Sequence, residues 1–105
     1  MTRRVVSTHR ADEDIESAIV YYLEGGAAEA ADGFVDAVQE VRDLLSAHPS
    51  LGSSRFAVDI GIADIRTMAL EKFPYVVFYT DDADAVRIHR VLHTRRDIPS
   101  EFPLT

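Results

Sequence analysis

An α+β fold is predicted by a change of pattern midway along the 105 residues. Up to about residue 47 apolar side chains recur at helical spacing, and beyond residue 54 they alternate or run continuously, as in strands. Breakers stand between the segments, at Gly25-Gly26, His48-Pro49, Gly61, Phe73-Pro74 and the acidic run 81–84. A block of helix followed by a block of strand predicts helices gathered on one face of an antiparallel sheet.

Residues 3–7 (RRVVS) read as a short first strand. Thr8 then precedes a segment opening with Asp12, Glu13 and Asp14, acids suited to the positive end of a helix dipole. Ile15, Ala18, Ile19, Tyr22 and Leu23 form the apolar stripe of that first helix, which Gly25-Gly26 ends. A second helix over residues 27–47 aligns Ala30, Phe34, Val38, Val41 and Leu45, carries Glu29, Asp36, Glu40 and Asp43 elsewhere, and stops at His48-Pro49. The two-glycine link makes the pair an antiparallel hairpin. Residues 55–60, 63–70, 75–80 and 86–93 all read as β, the last two joined by the acidic turn as a hairpin. YVVFYT at 75–80 is apolar enough for a central strand covered on both faces. The expected architecture is β-α-α-β-β-β, with 55–60 an extra short strand, giving a helical hairpin on a twisted antiparallel sheet of three to four strands.

Size and composition bound the function. A chain of 105 residues with 47% hydrophobic content supports one domain with its own core, spanning 1–105. The absence of cysteine excludes disulfides and thiolate chemistry. An N-terminus lacking an apolar signal-type segment, and the lack of any apolar run near 18 residues, lead us to expect a cytoplasmic protein. Net charge is −7, unevenly placed: residues 11–54 hold ten acids against Arg42 alone, whereas residues 85–97 hold four arginines against Asp97. A dedicated nucleic-acid binder is more often basic throughout, and this chain has one lysine, Lys72.

The cationic end, VRIHRVLHTRRDIP, is where chemistry would reside. Strict alternation puts Val86, Ile88, Arg90 and Leu92 on one face and Arg87, His89, Val91 and His93 on the other. Arg90 among core-facing residues requires a carboxylate or a ligand, since a buried unpaired guanidinium is too costly. It is either a paired structural arginine or the wall of a functional concavity. His93, Arg95 and Arg96 stand at the strand's exit, where recognition residues gather, although a solvated polar end reads the same way. The histidines have no metal-ligand spacing, no serine occupies a nucleophile elbow, and no glycine-rich frame holds phosphate. Asp81, Asp82 and Asp84 lack the glycine and closing glutamate of a calcium loop. Metal-independent cleavage of RNA is the one catalytic route for which residue types are present, with Arg66, Tyr79, Arg90, His93, Arg95 and Arg96. The bland readings are a salt-bridged Arg66 and a core Tyr79.

Those residues carry a resemblance. The first helix ends in YYLE, the second runs into HPSLG, and IRTMALEKFPYVVFY and RVLHTRRDIP follow. Over nearly its whole length the chain resembles the RelE/ParE superfamily of type II toxin–antitoxin toxins. The most specific matches fall on Arg66, on Phe73, Pro74, Tyr75 and Tyr79, and on Arg90, Val91, His93, Arg95 and Arg96. The resemblance implies the superfamily fold, no cofactor and no metal, and a cognate antitoxin as partner. The closing RVLHTRRD is most similar to ParE, implying an inhibitor of DNA gyrase neutralised by a ParD-like or other small antitoxin, with Arg90, His93, Arg95 and Arg96 meeting antitoxin or target. The RelE alternative is a ribosome-dependent mRNA endonuclease, with His93 as base and Arg66, Arg90 and Arg95 stabilising the phosphorane. The chain departs from that pattern in its single lysine and in having no tyrosine after Tyr79. A third implication is a non-toxic, antitoxin-binding member of the superfamily.

Overall fold

The computed structural model describes residues 2–96 and 98–102, so that Asp97 of the cationic run and the last three residues of the tail SEFPLT lie outside the described residues. Thr8 caps the first helix by accepting a hydrogen bond from the Ala11 amide at 3.1 Å, and α1 runs from His9 to Glu24, a turn earlier than the acids alone implied. The link at 25–27 turns the chain, Gly26 taking the left-handed φ of 73°. Helix α2, Ala28–Ala47, then returns antiparallel with Ala31, Phe34, Ala37, Val38, Val41 and Leu45 buried.

Four strands form one sheet in the order β1-β4-β3-β2, where β1 is Val5–Ser7, β2 Arg66–Ala69, β3 Tyr75–Asp81 and β4 Val86–His93. The β2–β3 and β3–β4 pairings are antiparallel as expected, whereas β1 adds to β4 in parallel. A parallel neighbour needs a crossover, and the two helices supply it. β3 is central, and every residue of it except Asp81 is buried. One core lies between the helices and the sheet, uniting Phe34, Val38 and Leu45 with Val77, Tyr79, Ile88 and Val91. A second lies on the sheet's other face, built from Ile65, Val76, Phe78, Leu92, Ile98 and Phe102.

Two expectations are corrected. Residues 55–60 are no strand: Ala57–Ile60 forms a single helical turn, α3, capped by Gly61 at φ 80°. Period two would bury Phe56, Val58 and Ile60 together, yet Val58 is 90% exposed while Phe56, Ala57 and Ile60 pack on the second core, as helical spacing requires. The strand expected at 63–70 shortens to Arg66–Ala69 because a turn closes from Ile65 N–H to Ile62 O.

The faces of β4 are also reassigned. Phe78 stands opposite Arg90 and Tyr79 opposite Ile88, so His89 is an extra residue and the register shifts at that point. A one-residue bulge flips every later side chain. Val91 therefore joins Val86 and Ile88 beneath the helices, and Leu92 joins Phe78 on the far side.

Candidate functional site

β1 pairs only with Val86–Ile88 of β4, so the edge of β4 beyond His89 has no neighbouring strand among the described residues. Helix α1 runs beside it instead. Thr8 Oγ1 donates to the His89 carbonyl at 3.0 Å, and the Asp14 carboxylate accepts from the Val91 amide at 3.0 Å, occupying edge groups a strand would have used. Between α1 and this edge lies an open concavity of about 420 Å³, lined by Asp14, Ser17 and Tyr21 of the helix, residues 91–93 of the strand, Tyr75, Arg95 and Arg96.

Arg90 forms the floor support of this concavity and not its lining. It is 4% exposed, and its Nε and Nη2 grip the two Asp14 oxygens at 2.8 and 2.9 Å in a bidentate fork. Its Nη1 reaches the Glu101 carbonyl at 3.2 Å and, more distantly, that residue's carboxylate. The carboxylate required by a buried arginine is thus Asp14, 76 positions away, a partner that no local pattern in the sequence announces. The hydrogen bonds to Asp14 hold the Arg90 guanidinium firmly charged, outweighing its burial.

The remaining cations are differently placed. Arg87 serves the hairpin turn, bridging Asp82 and Asp84, while Arg3 pairs with Asp81 at 3.0 Å, so the acidic run at 81–84 is met from β4 and from the N-terminal segment. Arg96 is 60% exposed on its side chain and holds Glu101 at 2.9 Å. Arg95 has no side-chain partner among the described residues, while its backbone amide donates to His93 Nδ1 at 3.0 Å. With Nδ1 accepting, Nε2 is the ring nitrogen left to donate. The ring itself stands edge-on to Tyr75, with centroids 5.1 Å apart. His93, Arg95 and Arg96 therefore converge on one surface, together with Ser17 and Tyr21, which sequence reasoning did not single out. Tyr21 is 68% exposed on a helix whose stripe points elsewhere, and an exposed aromatic at that position was the available signal.

Arg66 is elsewhere. It pairs with Tyr79 on β2–β3, whereas His93 pairs with Tyr75 on β3–β4. Four residues along the sheet and two strands across place their backbones roughly 16 Å apart. Arg66 is turned to the loop after α2, donating to the Gly52 carbonyl at 2.9 Å and the Ser50 carbonyl at 3.3 Å. Tyr79 anchors the same loop: its buried hydroxyl donates to the Pro49 carbonyl and accepts from the Gly52 amide, each at 2.8 Å. Burial raises the Tyr79 phenol above its ordinary pKa, with the Gly52 hydrogen bond only partly offsetting it, so the group stays protonated. The residue types of an RNA-cleaving site are present but are not gathered into one, since Arg66 and Tyr79 lock a loop and Arg90 locks a helix.

Similarity to known proteins agrees with this architecture. A family model described as the ParE toxin of the type II toxin–antitoxin system parDE matches residues 5–98. No curated protein matches the chain. Among solved structures 10 chains match. One of them, described as a chromosomal ParDE TA system from P. aeruginosa, superposes with a TM-score of 0.72 at 20% identity, covering 88% of this chain and 96% of that one, and so shows the same fold.

Proposed function

Because the chain belongs to the ParE toxin family of type II toxin–antitoxin systems, we propose that it acts by binding, inhibiting DNA gyrase, and that a cognate ParD-like antitoxin neutralises it. The observation that carries a binding role is the use made of the arginines. Of the residues a metal-independent nuclease would need, Arg90 is consumed by Asp14, and Arg66, its backbone roughly 16 Å from that of His93, by loop carbonyls. General acid–base catalysis requires its groups within about 3 Å of a shared substrate atom, and this separation does not provide that. What is left at the surface is a compact cationic and aromatic patch of His93, Arg95, Arg96 and Tyr21, suited to gripping a protein. No helix among the described residues is long and apolar enough to cross a membrane, and the proposed setting is the cytoplasm.

Inducing the chain in growing cells tests this reading. Plasmid DNA extracted after induction is expected to have lost negative supercoiling while messenger RNA stays full length. Truncated transcripts on unrelaxed plasmid would establish the endonuclease reading instead. Normal plasmid, normal transcripts and retained capture of an antitoxin would establish a non-toxic binding module.

A further inference from the structure

We propose that the concavity between α1 and the exposed end of β4 is the seat of an acidic, partly apolar peptide segment, and that Tyr21 and Ser17 on α1 are binding residues alongside His93, Arg95 and Arg96. The proposal rests on the antitoxin reading above and assigns that partner's segment to this groove.

The groove presents donors and almost no acceptor. The Arg95 side chain has no partner among the described residues, the Arg96 side chain is 60% exposed beside Glu101, and His93 has Nε2 left to donate. Among the described residues Asp14 is the one acid in the lining, and its two oxygens are held by Arg90 and the Val91 amide. Its charge is compensated from within the fold. A ligand carboxylate meets here one guanidinium, Arg95, with no side-chain partner among the described residues and a second, Arg96, that stays exposed beside Glu101, in a chain whose other surfaces are acidic enough to give a net charge of −7. The chain already contains an example of such a contact, for the Glu101 carboxylate sits on Arg96 at 2.9 Å. The apolar half of the ligand is specified by the walls. The Tyr21 ring, edge-on to Tyr22 at 5.4 Å, and the Tyr75–His93 pair flank a trough that runs along the β4 edge at residues 91–92. Aromatic walls beside arginines are the composition of interface hot spots. An extended segment alternating carboxylate and apolar side chains fits both halves.

Fluorescence anisotropy with a fluorescein-labelled peptide, ELDFEE, and its amide counterpart, QLNFQQ, tests the assignment. The acidic peptide is expected to bind at least about tenfold more tightly, the scale of one charge-assisted hydrogen bond or more. Replacing Arg95 and Arg96 by Gln together should remove that preference and flatten its dependence on salt. Tyr21→Ala should weaken both peptides by about threefold to tenfold, as for loss of an aromatic contact, with the salt dependence unchanged. All three positions are exposed, so an unaltered melting temperature is expected for each variant and confirms that it folds. Equal affinity for the two peptides, indifference to the Arg95 and Arg96 replacements, or no binding of either peptide overturns the groove assignment. Gyrase inhibition by a chain that fails to bind the peptide would overturn the groove alone. Peptide binding by a chain that leaves gyrase untouched would overturn the function and keep the groove.

Discussion

Arg90 shows how a residue that looks functional can be spent on the fold. Its fork to Asp14 ties β4 to α1 across the sheet's open edge, and both side chains are largely withdrawn from water. Removing one partner strands the other charge, so Arg90→Ala is expected to cost about 3–5 kcal/mol, whereas Arg90→Met with Asp14→Leu should cost far less. Urea unfolding of the three proteins measures this, and equal losses in the single and double variants would contradict it. His89, the bulged residue, hydrogen-bonds Thr80 Oγ1 through Nε2 at 2.8 Å. Its pKa is lowered, chiefly by burial, with Arg87 adding to the effect and Asp82 opposing it. A histidine kept neutral in the fold takes up its proton more readily when unfolded, so stability falls as pH drops below about 6.5, the unfolded value. Between about pH 8 and pH 5.5 the urea midpoint should therefore fall further for the native chain than for His89→Gln, with parallel falls refuting the assignment.

The elements meet where side chains close gaps that backbone leaves open. On the outer side of β1, Arg42 of α2 donates to the Val5 carbonyl at 2.9 Å and Ser46 to the Arg3 carbonyl at 2.7 Å. The one basic residue of the acidic helix α2 thus blunts an exposed strand edge. The loop from α2 to α3 is held by Tyr79 and Arg66, and Gly52 is the residue that permits it. A Cβ there would lie 2.5 Å from the Tyr79 hydroxyl and 2.8 Å from the Thr67 carbonyl, so Gly52→Ala should destabilise by about 1–3 kcal/mol or more, the range for overpacking. Tyr79→Phe, which leaves the Gly52 amide and Pro49 carbonyl without that partner, should lose about 1–3 kcal/mol. Thermal melts check both, and a Gly52→Ala chain as stable as the parent would show that the loop has another way to sit. The bulge at His89 makes a sharper demand on β4. Deleting that one residue would turn Val91 out of the helix-side core and Arg90 toward it, and circular dichroism is expected to show an unfolded chain.

Across the whole molecule, the helical hairpin, the central strand and the α+β layering were readable because each is written in local periodicity. Thr8, Gly25-Gly26 and Pro49 mark their ends in the same local terms. The α3 turn was misread because Phe56, Val58 and Ile60 satisfy a strand pattern as well as Phe56, Ala57 and Ile60 satisfy a helical one, and only the second core decides between them. The parallel pairing of β1, the bulge and the Asp14–Arg90 pair depend on contacts across the length of the chain, which no window of sequence contains. Of the site, the convergence of His93, Arg95 and Arg96 was legible from the end of β4, while Ser17 and Tyr21 enter it only because α1 takes the place of a strand. Charge is segregated accordingly, with acids along the helices and arginines at one exit, where Arg96 holds Glu101 and the Arg95 side chain has no partner among the described residues. That distribution is the one the proposed binding role calls for. Supercoiling of relaxed plasmid by purified DNA gyrase, titrated with the purified chain, tests this most directly. The account predicts progressive loss of supercoiled product as the chain is added, whereas undiminished supercoiling, with cleavage of messenger RNA by the same preparation on programmed ribosomes, would contradict it.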